Sequence, residues 1–133
     1  MRMVACPVAL HPDGMPRQIA PFEHPNADLQ LAKGGINPGE TIAAAAARKL
    51  YEESGLDTRA ALPPGNARDI YPDQKRHFAL CRIASPVRAR WQHHCADDGG
   101  HLFKFQWMPL DASRLAGFDP RYLRALDWIR NAL

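Results

Sequence analysis

The segment GGINPGETIAAAAARKLYEESGL, residues 34–56, constrains this chain more than any other because its start, interior and end all specify one helix. Pro38 and Gly39 mark the approach, and Glu40 suits the positive end of a helix dipole. Five consecutive alanines, 43–47, supply the highest helix propensity, and Gly55 supplies the stop. Ala43, Ala46, Ala47, Leu50 and Ser54 recur at helical spacing as a narrow face of small residues. Such a face can lie close against a sheet, so the rest of the chain is expected to build one.

Apolar patterning predicts strands over roughly 3–10, 28–33, 76–84, 88–95 and 101–108, with a short one near 18–22. In HLFKFQWMPL, Phe103, Phe105 and Trp107 alternate with Leu102, Lys104 and Gln106, the period of a strand with one buried face. That stripe reads as core before it reads as a platform for a nucleobase. The ADDGG between the last two long strands supplies a hairpin turn, and LPPGN at 62–66 reads as a loop. A terminal helix opens with Asp119 as N-cap and Pro120 in its first turn, and buries Tyr122, Leu126, Ile129 and Leu133. Strands around a central helix, closed by a terminal one, predict an α/β fold with a mixed sheet between helices.

At 133 residues the chain fits one domain, 1–133, able to bury roughly two thirds of its unfolded surface. Hydrophobic residues at 46% and charged residues at 23% exclude disorder and fibrous arrays. The net charge of +3 comes from scattered basic residues, which gives no nucleic-acid signal. Cys6, Cys81 and Cys95 have neither CxxC spacing nor an even count, as reduced cytoplasmic thiols would. The apolar N-terminal stretch is broken at Pro7, short for a signal peptide, and no run approaches the ~20 residues of a membrane span. The pattern leaves room for a homodimer.

On the helix, Arg48, Lys49, Glu52 and Glu53 fall within about 140° of one another. One reading is a solvated face with Arg48–Glu52 and Lys49–Glu53 pairs, each contributing a few tenths of a kcal/mol. The other joins this face to the Gly34–Gly35 bend and Glu40: two carboxylates and a glycine carbonyl form a hard oxygen site suited to Mg2+ or Mn2+. The Lys-Ser/Thr of a P-loop is absent.

These residues resemble the Nudix box, G-x5-E-x7-R-E-U-x-E-E-x-G-U, with U a bulky apolar residue. Gly34, Glu40, Arg48, Leu50, Glu52, Glu53, Gly55 and Leu56 fill eight of its nine defined positions, and Lys49 stands at the ninth in place of glutamate. The resemblance implies an α/β/α sandwich and Mg2+- or Mn2+-dependent hydrolysis of a nucleoside diphosphate linked to another group. Its partner would be a small nucleotide or polyphosphate. KGGINPGE, 33–40, resembles the loop of members that act on dinucleoside polyphosphates and triphosphorylated RNA ends.

Carried over by position, the Gly34 carbonyl, Glu52 and Glu53 would be metal ligands, with Glu52, Glu53 and Arg48 in the catalytic set. Arg48 would hold a glutamate in place and Glu40 would steady the loop. Lys33, Gly35 and Lys49 are the expected substrate-binding residues. The family often uses the glutamate at position 49 as a ligand or base. Lysine there either touches phosphate or marks a degenerate module that binds a nucleotide without cleaving it. A working hydrolase would then draw its base from outside the box, and HHCADDGGH offers Asp97, Asp98, His93 and His94, with Asp98 taken into the catalytic set. A zinc site from His93, Cys95 and His101 lacks a recognised spacing. Glu23 and Asp73 are further acids in predicted loops, with nothing to select them.

Overall fold

In the computed structural model, the described residues are 2–13, 17–23, 29–71, 74–84, 86–96, 100–111, 117–118 and 120–132, with the side chains of 60, 62–71, 121 and 132 set aside. Asp73, Asp97, Asp98, Asp119 and Leu133 lie outside them.

The frame is a parallel pair. Strand β1 (Arg2–Leu10) runs beside β7 (Gln74–Ile83) in unbroken register from Arg2↔Gln74 to Leu10↔Arg82. Parallel strands are stable where both faces are covered, and these two supply apolar side chains to both. Val4, Cys6, Val8 and Phe78 enter one core, while Ala5, Ala9, Ala79, Cys81 and Ile83 enter the other. The far edge of β1 is shared by two short antiparallel strands, β5 (Gly34–Gly35) at Ala5 and Val4, and β2 (Gln18–Ile19) at Leu10. Strand β6 (Thr58–Tyr71) closes the other edge against β7, and β10 (Met108–Pro109) extends the sheet beyond β2.

A second sheet has the order β4 (Leu29–Gln30), β3 (Phe22–Glu23), β9 (His101–Gln106) and β8 (Arg90–Cys95). The chain passes between the sheets four times, from β2 to β3, from β4 to β5, from β7 to β8 and from β9 to β10. Helix α1 (Ile42–Ser54) lies between the two sheets, and its buried Ala45, Ala46 and Leu50 meet alanines of β1 and β7 on one side and Phe103 and Phe105 on the other. Small residues on both helix and sheet let the backbones approach closely. Helix α2 (Leu123–Ala132), after a 3-10 turn at Pro120–Tyr122, covers the opposite face of the large sheet with Tyr122, Leu126 and Ile129, and Trp128 stacks on Phe78 at 4.7 Å. The result is the expected α/β sandwich with helices on both faces of a mixed sheet.

Three local expectations are corrected. LPPGN lies inside β6, because Pro63 and Pro64 fall where the pairing slips by one residue between Leu62↔Leu80 and Gly65↔Phe78, on an edge strand where missing N–H donors cost little. The helix N-cap is Thr41, whose hydroxyl accepts from the Ala44 N–H at 3.1 Å, and Glu40 is freed for another task. The buried stripe of α1 uses Ala45 rather than Ala43 and Ala47. The aromatic stripe of β9 is core, with Phe103 and Phe105 buried and the Trp91 ring stacked 5.1 Å from Phe105. Among the described residues no helix is long and apolar enough to cross a membrane.

Candidate active site

Helix α1 is tied down at both ends. At its start the Arg48 guanidinium donates from Nε to Glu40 Oε2 at 2.8 Å and from Nη2 to Glu40 Oε1 at 2.9 Å, a bidentate pair. The same Nη2 reaches the Gly35 carbonyl at 3.0 Å, and Nη1 reaches Glu52 Oε1 at 3.3 Å. Glu40 also accepts from the Asn37 N–H at 3.0 Å. Arg48, followed by the Asn37 amide, holds the Glu40 carboxyl down at about 2 against its ordinary 4.5. One side chain thus joins the glycine bend, the loop before the helix and the acidic face.

At the other end Gly55 takes a left-handed conformation (φ +75°) and its N–H returns to the Tyr51 carbonyl. Two further carbonyls of the last turn are taken by β8: Trp91 Nε1 donates to Ser54 O at 2.8 Å, and His93 Nε2 lies 3.1 Å from Glu52 O. A carbonyl only accepts, so His93 carries its proton on Nε2. The ring sits against Gly55 so closely that a Cβ there would come within 2.9 Å of Nδ1. Sequence reasoning missed both latches, since a strand residue hydrogen-bonding to a helix end 37 or 41 positions away leaves no local pattern.

Between these anchors lies a recess of about 360 Å3 lined by Arg2, Lys33, Gly34, Gly35, Lys49, Glu53, Cys95, His101 and Phe103. That volume falls within the usual range for small-molecule sites. The Lys49 side chain is only 12% exposed, and its Nζ donates to Glu52 Oε2 at 3.1 Å. Its stem runs over Gly34, where an added Cβ would collide with Cε, Cδ and Cγ. Glu52 is therefore bound on one oxygen by Arg48 and on the other by Lys49. Glu53 turns into the recess one residue on.

Of the residues expected at the site, Lys33, Gly34, Gly35, Lys49 and Glu53 meet in the recess, and Arg48 and Glu52 stand directly behind them. Arg2 joins unexpectedly, brought there because β5 pairs with the first residues of β1. His93 and His94, considered as bases, have other places. His93 is engaged at the helix end, and His94 is exposed on the opposite face of β8, against Gly100. Glu23 lines a different cavity with Arg90, Trp91 and Lys104. Among the described residues no three His, Cys, Asp or Glu side chains form a metal-binding group, so the His93, Cys95 and His101 zinc arrangement is not assembled. The three cysteines are buried and in no disulfide, and burial raises both Cys6 and Cys81 to about 11, which keeps them protonated near neutrality.

Comparison with known proteins agrees with this geometry. Among curated proteins none matches the chain. Among solved structures it is similar to one described as a structure and function analysis of MutT from the fish pathogen Aliivibrio salmonicida and the mesophile Vibrio cholerae. That match has a TM-score of 0.70 at 12% identity, over 99% of this chain and 98% of that one. A model of the NUDIX domain matches residues 12–129. With nearly the whole chain covered by that match and the box residues gathered around one recess, the chain belongs to the Nudix family, hydrolases of compounds in which a nucleoside diphosphate is linked to another group.

Proposed function

We propose that the recess cleaves the pyrophosphate bond of a nucleotide-type substrate, with a lean towards dinucleoside polyphosphates, in a reaction dependent on Mg2+ or Mn2+. The observation that carries this is the charge of the lining. Arg2, Lys33 and Lys49 surround a single described carboxylate, Glu53, a balance that suits a polyanion next to one acid. Lys33 and Lys49 contact phosphate oxygens, and Gly35 gives the substrate room against the bend.

A divalent ion fits the donor chemistry here: Glu53 and the backbone of Gly34 are hard oxygen donors on one recess, and Glu52 is adjacent on the same helix turn. When bound, such an ion supplies charge neutralisation of the pyrophosphate and acidification of water. The protein's own residues do the rest. Arg48 orients Glu52 by charge-assisted hydrogen bonding and fixes the glycine bend against the helix. Asp98 is the proposed base, because Cys95 and His101, its near neighbours in sequence on either side, both line the recess. Buried cysteines in no disulfide fit a reduced, cytoplasmic setting.

The test is turnover with Mg2+ or Mn2+ across a panel of dinucleoside polyphosphates, nucleoside triphosphates and nucleotide sugars, read as released nucleotide. Cleavage of at least one class is expected, and Glu53→Gln is expected to reduce it by about 100-fold or more. Full activity in Glu53→Gln would move the site elsewhere, and binding without turnover would make the chain a nucleotide-binding module.

A further inference from the structure

We propose that the Lys49 ammonium is a resident cation of the phosphate site, so that it does the work of one divalent ion and lets this chain hold a diphosphate group without metal. The inference rests on reading the recess as the pyrophosphate site.

A lysine at a box position written as glutamate has two physical options. It can extend into water, as exposed lysines do, or stay and compensate the charge around it. Here it stays. Its stem covers Gly34 along Cγ, Cδ and Cε, its side chain is 12% exposed, and Nζ is anchored on Glu52 Oε2 at 3.1 Å. Only a glycine at 34 leaves space for that path, so the bend accommodates this side chain as well as any ligand.

The consequence is electrostatic. The ammonium already occupies one oxygen of Glu52, and Arg48 occupies the other, so the carboxylate most able to share an ion with Glu53 is partly neutralised by the protein itself. A second divalent ion would meet the positive charge of Lys49, with Lys33 and Arg2 on the same recess. A diphosphate meets the reverse situation. Three basic side chains line the recess from three segments, the start of β1, the residue before β5, and α1, and an ammonium is a compact charge whose donors turn about a flexible stem to follow phosphate oxygens.

The experiment is calorimetric titration of inorganic pyrophosphate into the full-length protein in EDTA, paired with Mn2+ titration followed by electron paramagnetic resonance. The native chain is expected to bind pyrophosphate in EDTA. Lys49→Gln should weaken that binding at least tenfold and Lys49→Arg should keep it within a few-fold, with thermal unfolding showing that each variant is folded. Lys49→Glu should lose metal-free binding and take up one more Mn2+ per chain. Absence of binding to the native chain in EDTA, equal binding by Lys49→Gln, or an unchanged Mn2+ count in Lys49→Glu overturns the proposal. If the native chain nonetheless turns over the substrate panel with Mg2+, the hydrolase reading stands without it. Lys49-dependent pyrophosphate binding with no turnover would sustain this inference and remove that reading.

Discussion

Arg48 and Glu40 show how much of the site depends on one ion pair. The guanidinium makes four hydrogen bonds to three residues, and two of them go to Glu40. Because the Glu40 carboxyl is held at about 2, below its ordinary 4.5, its stabilisation is fully present above the ordinary value and disappears as pH falls through the lower one. Denaturation of the native chain and of Glu40→Gln should therefore differ by a constant amount near neutrality. The difference should close between about 4.5 and about 2, and a gap persisting at the acid end would show that the carboxylate charge is not its source. At this scale the sequence was legible where proximity depends on spacing: Gly34 and Glu53 line one recess, and Arg48 joins Glu40 to Glu52 beside it. Lys49 was legible as a conflict but not as a solution, since the path of a four-carbon stem over Gly34 is decided by packing that no linear pattern encodes. Arg2 was invisible for a similar reason, as its neighbours come from a strand pairing.

Helix α1 was the element read best, because propensity, capping glycine and small-residue stripe all agree, and only its cap and one register of buried alanines moved. Strand β6 was read worst. Two prolines and a glycine are loop chemistry in isolation, and only the edge position with its slipped register makes them tolerable. The end of α1 offers the clearest measurement. Gly55→Ala forces a left-handed backbone on a residue with a Cβ and drives that Cβ into the His93 ring. The backbone cost alone is about 1–2 kcal/mol, and urea denaturation should show at least that loss. A neutral result would mean that the helix can end in another way.

The whole molecule separates two cores across one sheet. The core beneath α2 is built from large side chains, Phe78, Leu126, Ile129 and Tyr122, while the core around α1 sets alanines of helix and sheet against each other. That asymmetry was only half legible: the family resemblance implied the sandwich, yet strand order and the four passages between sheets follow from tertiary pairing alone. It predicts different tolerances. Ala46→Leu, at a fully buried site on α1, should destabilise by about 1–3 kcal/mol through overpacking and should also lower turnover in the fraction that remains folded, because it pushes the acidic turn away from the glycine bend. Unchanged turnover per folded molecule would show that the helix yields elsewhere. A second consequence follows from where α1 is fastened. Its front is bound through Arg48 to the strand that carries Gly35, and its rear through Trp91 and His93 to the other sheet. The helix is a strut braced between two walls, and its last turn, the ordinary place for fraying, can loosen only when the walls part. The carboxylates it carries are thereby shielded from local breathing, and their alignment survives for as long as the molecule itself stays closed.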